Sequence, residues 1–346
     1  MIAMSFGIIL ISILLYLIYR RHQKMIRKYP PGPTSLPFVG SIPFLNTKNG
    51  NAAAVLDQAF YKISSDMYTV WLGSTPLIVI QDFNLAKDMF SREEFCGRIF
   101  THHDKYVRGK GGHSLGIVAT VGSFWQEQRR FSLKHLKDLG FGKQKLETII
   151  QDEIQYLIDE ITSKAEHGDV LFDTVFNFPI INILWQIIAS KRYDPNLPES
   201  KRMMEKVTEF FKMGIPALVF IMEPIRHLLP LFKIDKMILD LKAMFRCQVL
   251  EQLEEYNCGG FHEPRNFIDI YLKEIKEQEI TQQPGVNQGN YSTFNTEQLV
   301  TICLDFFQAG SETSSTTLSW AILYLALYPD IQEKCWKEIE QNLGGK

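Results

Sequence analysis

An acid and an alcohol sit side by side at Glu312-Thr313, inside the run Leu304-Asp305-Phe306-Phe307-Gln308-Ala309-Gly310-Ser311-Glu312-Thr313-Ser314-Ser315-Thr316. Such a pair can pass protons to and from a bound species. Gly310 carries no side chain and would let a flat ligand lie close to the backbone. The same run also fits a distorted structural helix, because Ser and Thr hydroxyls bond back to preceding carbonyls and bend a helix. A second constellation is Trp125-Gln126-Glu127-Gln128-Arg129-Arg130. Trp125 and Arg129 are four apart and share a helix face. An indole N–H and a guanidinium only donate, so together they suit an anionic group on a cofactor. The alternative is a half-buried indole covered by an arginine stem.

On the same helix Arg130, Lys134 and Lys137 form a basic stripe. It reads either as a solvated face or as a docking surface for an acidic partner. Other residues carry less. Cysteines fall at 96, 247, 258, 303 and 335 with no CxxC pair, which supports neither a disulfide framework nor a zinc ribbon. His102, His103 and His113 lack partners at metal-ligand spacing. Glu223-Pro224-Ile225-Arg226 is an ExxR by spelling only, in a proline-interrupted stretch. The glycines between 97 and 122 lack the GxxxxGK[ST] pattern of a phosphate loop.

The elements that must position these groups are mostly helices. Apolar residues recur at helical spacing over 83–90, 124–138, 145–166, 175–190, 200–213 and 233–256. A long helix is expected from near Thr296 to before Pro329, and a last one from there to Gly344. Residues 68–82 predict one strand pair, with the turn at Gly73-Ser74-Thr75-Pro76. Residues 96–123 read as irregular, and 281–295 as a loop containing the sequon Asn290-Tyr291-Ser292. The fold class expected is mainly α with a small β-sheet.

The chain has 346 residues, with 37 basic and 39 acidic side chains, a balance that gives no electrostatic case for nucleic-acid binding. Residues 2–19 carry no charge, and Arg20, Arg21, Lys24, Arg27 and Lys28 follow. That pattern predicts a retained transmembrane signal-anchor over 1–19 with the body on the cytosolic side. The alternative, a cleaved signal peptide, lacks a preceding basic residue and a small-x-small site. Tyr29-Pro30-Pro31-Gly32-Pro33 and Pro37 then predict a stiff extended connector over 20–37.

The order of these features resembles the microsomal cytochrome P450 family of haem-thiolate monooxygenases. Anchor, PPGP, strand pair, Cys96-Gly97-Arg98, WxxxRR-FSL and AGxET on a long helix follow one another. Asn266-Phe267-Ile268-Asp269 and Tyr328-Pro329-Asp330 fit as well. The spelling looks like the animal drug- and hormone-metabolising subgroup and leans towards its insect branch. The resemblance implies that Trp125, Arg129 and Arg98 hold the propionates of heme b. It implies that Ala309 and Gly310 lie over the haem face, and that Thr313 steers protons with Glu312 as acidic neighbour. It gives Ile117, Val118 and Phe306 to substrate contact, and Arg130, Lys134 and Lys137 to the side where NADPH–cytochrome P450 reductase docks. The implied partners are the lipid bilayer, that reductase, O2 and a small lipophilic substrate such as a terpenoid, steroid or xenobiotic. The implied location is the endoplasmic reticulum membrane.

The family's axial ligand is a Cys thiolate in a Phe-x-x-Gly-x-Arg-x-Cys-x-Gly loop, and thiolate donation favours O–O cleavage. None of the five cysteines has that context, and the family's Glu-x-x-Arg helix is missing. The expectation is an incomplete P450-like domain over 38–346, without metal ligand or monooxygenase activity as written. The competing expectation is a non-catalytic form that binds membrane and reductase only.

Overall fold

The computed structural model describes residues 2–45, 65–98, 102–110, 113–172, 175–213, 233–258, 263–281 and 293–344. The sequon at 290–292 and the ExxR spelling at 223–226 lie outside the described residues, as do the side chains of His102, His103 and His113. The chain divides into two compact units, Met1–His103 with Ile215–Leu231, and Asp104–Gly214 with Phe232–Lys346.

In the first unit, helix α1 runs Ile2–Ile26. Among the described residues no helix is long and apolar enough to cross a membrane. The side chains of α1 are described from Phe6. From there to Arg20 the uncharged run rises only about 21 Å at ~1.5 Å per residue, against a hydrocarbon core of about 30 Å. The expected span over 2–19 rests in part on residues 2–5, whose side chains lie outside that set.

The proline connector is tied down. Thr69 N–H donates to the Pro31 carbonyl at 2.9 Å. A Cβ on Gly32 would lie 1.9 Å from the Thr69 oxygen, so only glycine lets the two backbones approach. Strands β1 (Met67–Leu72) and β2 (Thr75–Ile80) pair antiparallel, with Trp71 opposite Pro76. The turn is therefore Gly73-Ser74, with Gly73 at φ +64. Pro76, expected in the turn, belongs to β2, and it fits there because an outer strand does not need its N–H. Helix α2 (Phe83–Phe90) follows, N-capped by Asp82, whose carboxylate accepts from Leu85 N–H at 2.7 Å.

The second unit is helical. Its long elements are α4 (Gly122–Asp138), α5 (Gln144–Ala165), α6 (Asn177–Ala189), α7 (Pro198–Met213), α8 (Lys233–Cys258), α9 (Phe267–Thr281), α10 (Thr296–Leu327) and α11 (Pro329–Leu343). Short helix α3 (His102–Val107) precedes a two-residue ladder of β3 (Gly109–Lys110) with β4 (His113–Ser114). Both fall where an irregular segment was expected. Helix α10 runs through the core and packs on α6 and α8. The rings of Trp185, Phe245 and Phe307 meet there, with centroids 4.9–6.1 Å apart. Beside them Phe131 contacts Phe267, Tyr271 and Phe294 edge-on. Such edge-to-face packing satisfies the ring quadrupoles as well as burying area.

Candidate functional site

Helix α10 starts cleanly because Asn295 caps it, accepting from Gln298 N–H at 3.1 Å. It stays unbroken through the glycine and the hydroxyl cluster. Thr301, Thr313, Thr317 and Ser319 each donate to the carbonyl four residues back, at 2.7–3.0 Å. These four hydroxyls are thus satisfied by the helix itself, whereas the buried Ser311 hydroxyl finds no partner among the described residues.

One polar stripe of α10 grips the segment 115–120. The buried Asp305 carboxylate accepts from the N–H groups of Ile117 (2.6 Å) and Val118 (3.1 Å). Its other oxygen takes the Arg108 guanidinium in a short ion pair. Arg108 also donates to Gln308 Oε1 at 3.1 Å. Two turns earlier on α10, Gln298 bonds both polar backbone groups of Gly116, at 2.9 and 3.2 Å. Gly116 has φ +87, and a Cβ there would sit 2.2 Å from Asp305 Oδ2. Only a bare, left-handed residue lets the carboxylate reach the two amides.

This clamp sets Ile117 and Val118 against the helix that carries Ala309 and Thr313. Ile117 is half-buried, Val118 exposed, and Phe306 lies half-buried with its ring edge-on to Phe267 at 5.4 Å. Ala309 and Thr313 are exposed and one turn apart, joined by the Thr313 Oγ1 to Ala309 carbonyl bond of 2.7 Å. Glu312 is half-buried and accepts from Thr316 Oγ1 at 3.5 Å. No hydrogen bond among the described residues joins Glu312 to Thr313, so a proton passing between them needs a third group.

Gly310 has a packing role beside the one its sequence suggests. A Cβ there would lie 2.6 Å from Leu184 Cδ2, so the missing side chain makes room for α6. Ala309, next to it, is exposed and presents a small side chain.

Trp125 and Arg129 share a face as expected, the guanidinium carbon lying 5.4 Å from the indole centroid. Arg129 is exposed and in no ion pair among the described residues. Arg98 belongs to the first unit, is exposed, and donates to the carbonyls of Cys96 (3.2 Å) and Gly97 (3.0 Å). Arg130, Lys134 and Lys137 are all exposed on α4, and none ends in an ion pair among the described residues.

A family model for cytochrome P450 matches residues 30–346. The chain belongs to the cytochrome P450 family. It is similar to Cytochrome P450 2C25 of Mesocricetus auratus, 32% identical over 352 residues, covering 97% of this chain and 66% of the relative. Cytochrome P450 2C29 of Mus musculus is 32% identical over 351 residues, covering 96% and 66%. Cytochrome P450 2J2 of Homo sapiens is 32% identical over 331 residues, covering 92% and 61%. The chain thus spans just under two thirds of the length of these relatives.

Membership in the P450 family implies haem, and the residues fit that group in part. Ala309 is exposed and carries only a methyl group, and Trp125 with Arg129 offers donors for a propionate. The iron ligand is a different matter. Cys303 is fully buried, and burial first, then Asp305, pushes its thiol up, away from thiolate. Cys96, Cys247, Cys258 and Cys335 are exposed on other elements. Among the described residues no group of three or more His, Cys, Asp or Glu is placed to hold a metal.

Asp305, Arg108, Gln298 and Gly116 went unnoticed in the sequence. The available signal was Asp305 itself, the sole charge between Glu297 and Glu312 on an apolar helix.

Proposed function

We propose that these residues belong to a haem-dependent monooxygenase that inserts one atom of O2 into a lipophilic substrate with NADPH-derived electrons. The observation that carries the reading is the Asp305 clamp, which holds Ile117 and Val118 at a point on α10 one turn before Ala309 and two before Thr313. Haem, when bound, supplies the redox chemistry. The chain's own residues do the rest. Ile117, Val118 and Phe306 present apolar surface to a terpenoid, steroid or xenobiotic. Trp125, Arg129 and Arg98 anchor propionates. Thr313 holds a proton at Oγ1, and Glu312 replenishes it through an intervening water. Helix α1, with the basic residues after it, anchors the protein in the endoplasmic reticulum membrane, with the body in the cytosol. Arg130, Lys134 and Lys137 dock the acidic face of the reductase.

The test uses the longest reading frame containing these residues, in microsomes with reductase, NADPH and 18O2. Farnesol, progesterone and 7-ethoxycoumarin serve as probes. One 18O atom in a product is expected, with Thr313→Ala releasing peroxide instead. Products containing no oxygen from O2 would overturn the reading.

A second reading is non-catalytic, motivated by the cysteine survey together with three exposed cations on α4 that are in no ion pair among the described residues. In it the 346 residues bind membrane and reductase without turnover. Changing Arg130, Lys134 and Lys137 to Glu should abolish capture of the reductase; unchanged capture removes the reading.

A further inference from the structure

A second cleft lies apart from the Ala309–Thr313 face, between α5, α6 and α7. Its volume is about 1010 Å3, within the range of small-molecule sites. One wall is rigid. Glu153, buried on α5, accepts from Arg192 Nε at 2.6 Å and Nη2 at 3.2 Å, and from Gln186 at 3.2 Å. The Arg192 guanidinium stacks over the Tyr156 ring at 4.1 Å. Asn182 then locks the next residue, bonding the Tyr193 carbonyl (3.0 Å) and N–H (2.8 Å). The cleft is therefore formed before any ligand arrives, which reduces the ordering cost of binding.

The lining is apolar with an acidic excess. Leu157, Phe178 and Met204 supply hydrophobic surface. Five carboxylates (Glu153, Glu160, Asp194, Glu205, Glu209) face three cations (Lys164, Arg192, Lys201), so the lining sums to 3 − 5 = −2. Most of these charges are engaged. Glu153 holds Arg192, Glu160 holds Lys164, and Glu209 meets Lys233 from outside the lining. Asp194 accepts from Asn196 N–H. Glu205 and Lys201, one turn apart on α7, are in no ion pair among the described residues. At the base Asn177 is buried, lines the cleft, and forms no side-chain hydrogen bond among the described residues. Its amide is not among the solvent-sealed unpaired polar atoms, so it opens onto the cleft, where its oxygen can accept from a ligand.

We propose that this cleft binds a lipophilic amine. The apolar body lies on Leu157, Phe178 and Met204, the ammonium faces Glu205, and Asn177 accepts one of its N–H groups. The net negative lining attracts a cation and repels an anion of the same shape. Binding here involves no iron chemistry, so its outcome is independent of the monooxygenase reading.

The test titrates the 346-residue chain with three fluorescent probes of one shape and reads anisotropy. The probes are 2-(1-naphthyl)ethylamine, 2-(1-naphthyl)ethanol and 1-naphthylacetate. The amine should bind at least ten-fold tighter than the alcohol, and the acetate most weakly. Glu205→Lys, an exposed change on α7, should erase the preference for the amine. Asn177→Leu should weaken the amine several-fold and leave the alcohol nearer to wild type. No binding, equal binding of the three probes, or a preference untouched by Glu205→Lys would each overturn the proposal.

Discussion

Arg108 and Asp305 meet as a buried ion pair across 197 positions of sequence. The carboxylate is doubly committed, because its second oxygen holds the Ile117 and Val118 amides. Removing it would leave a buried guanidinium and two backbone donors without acceptors. Asp305→Ala should therefore cost about 3–5 kcal/mol, the range for breaking a buried pair from one side. Arg108→Met with Asp305→Leu should cost less than Asp305→Ala alone. Urea unfolding of the three chains checks the order, and equal midpoints for wild type and Asp305→Ala would refute the clamp.

Gly310 and Leu184 should be energetically coupled. Gly310→Ala places a methyl 2.6 Å from Leu184 Cδ2. Overpacking costs roughly 1–3 kcal/mol, partly offset by about 1 kcal/mol of helix propensity. Leu184→Ala opens the space that the new methyl needs. The double variant should then lose less stability than the two single losses added together, a non-additivity expected for residues in contact. Strict additivity in thermal unfolding would contradict the packing described for α6 and α10.

Acid should destabilise the protein through two histidines. Burial holds His22 below its ordinary value of 6.5, and burial then Lys134 do the same for His135. As pH falls through about 6.5 the unfolded chain takes up these protons first. The stability they confer is complete above that pH and is lost as pH falls towards the lower folded values. Denaturant midpoints at pH 7.5 and 5.5 should show the drop. His135→Gln should make it smaller, and an identical drop would exclude His135 as a contributor.

The cysteines make a spectroscopic prediction. Cys303 is held away from thiolate by burial, and the other four are exposed on elements other than α10. The 346-residue chain, given haem, reduced and treated with CO, should show no Soret band at the thiolate position. A thiolate band would identify one of these five as the ligand, and single Cys→Ser changes would name it.

Much of the scaffold could be read from local pattern. Apolar spacing marked α4 to α8 because each buries one stripe against the core. Helix α9 was passed over, although Phe267, Ile268, Tyr271 and Leu272 bury fully, because Lys and Glu dominate the rest of it. The ladder of β3 and β4 is too short to leave a period. Thr313, Trp125 and Arg129 stood out as candidates because their neighbours form spelled motifs. Asp305 was not, since what matters about it is a partner far away in sequence and a glycine shaped to admit it. The packing of Gly310 on Leu184 was hidden for the same reason: a missing side chain does not announce which neighbour fills the space.

The aromatic residues at the end of α10 have an optical consequence. Trp320, Tyr324 and Tyr328 follow one another at one-turn intervals, with ring centroids 6.1 and 6.2 Å apart. Trp71 and Trp185 are buried, whereas Trp320 is 54% and Trp336 59% exposed. Indole emission open to a soluble quencher therefore arises chiefly from the end of the helix that bears Thr313 and from α11 after it. Whatever covers that end, from this molecule or another, will dim the quenchable fraction, so the protein carries its own light gauge for the covering of α10.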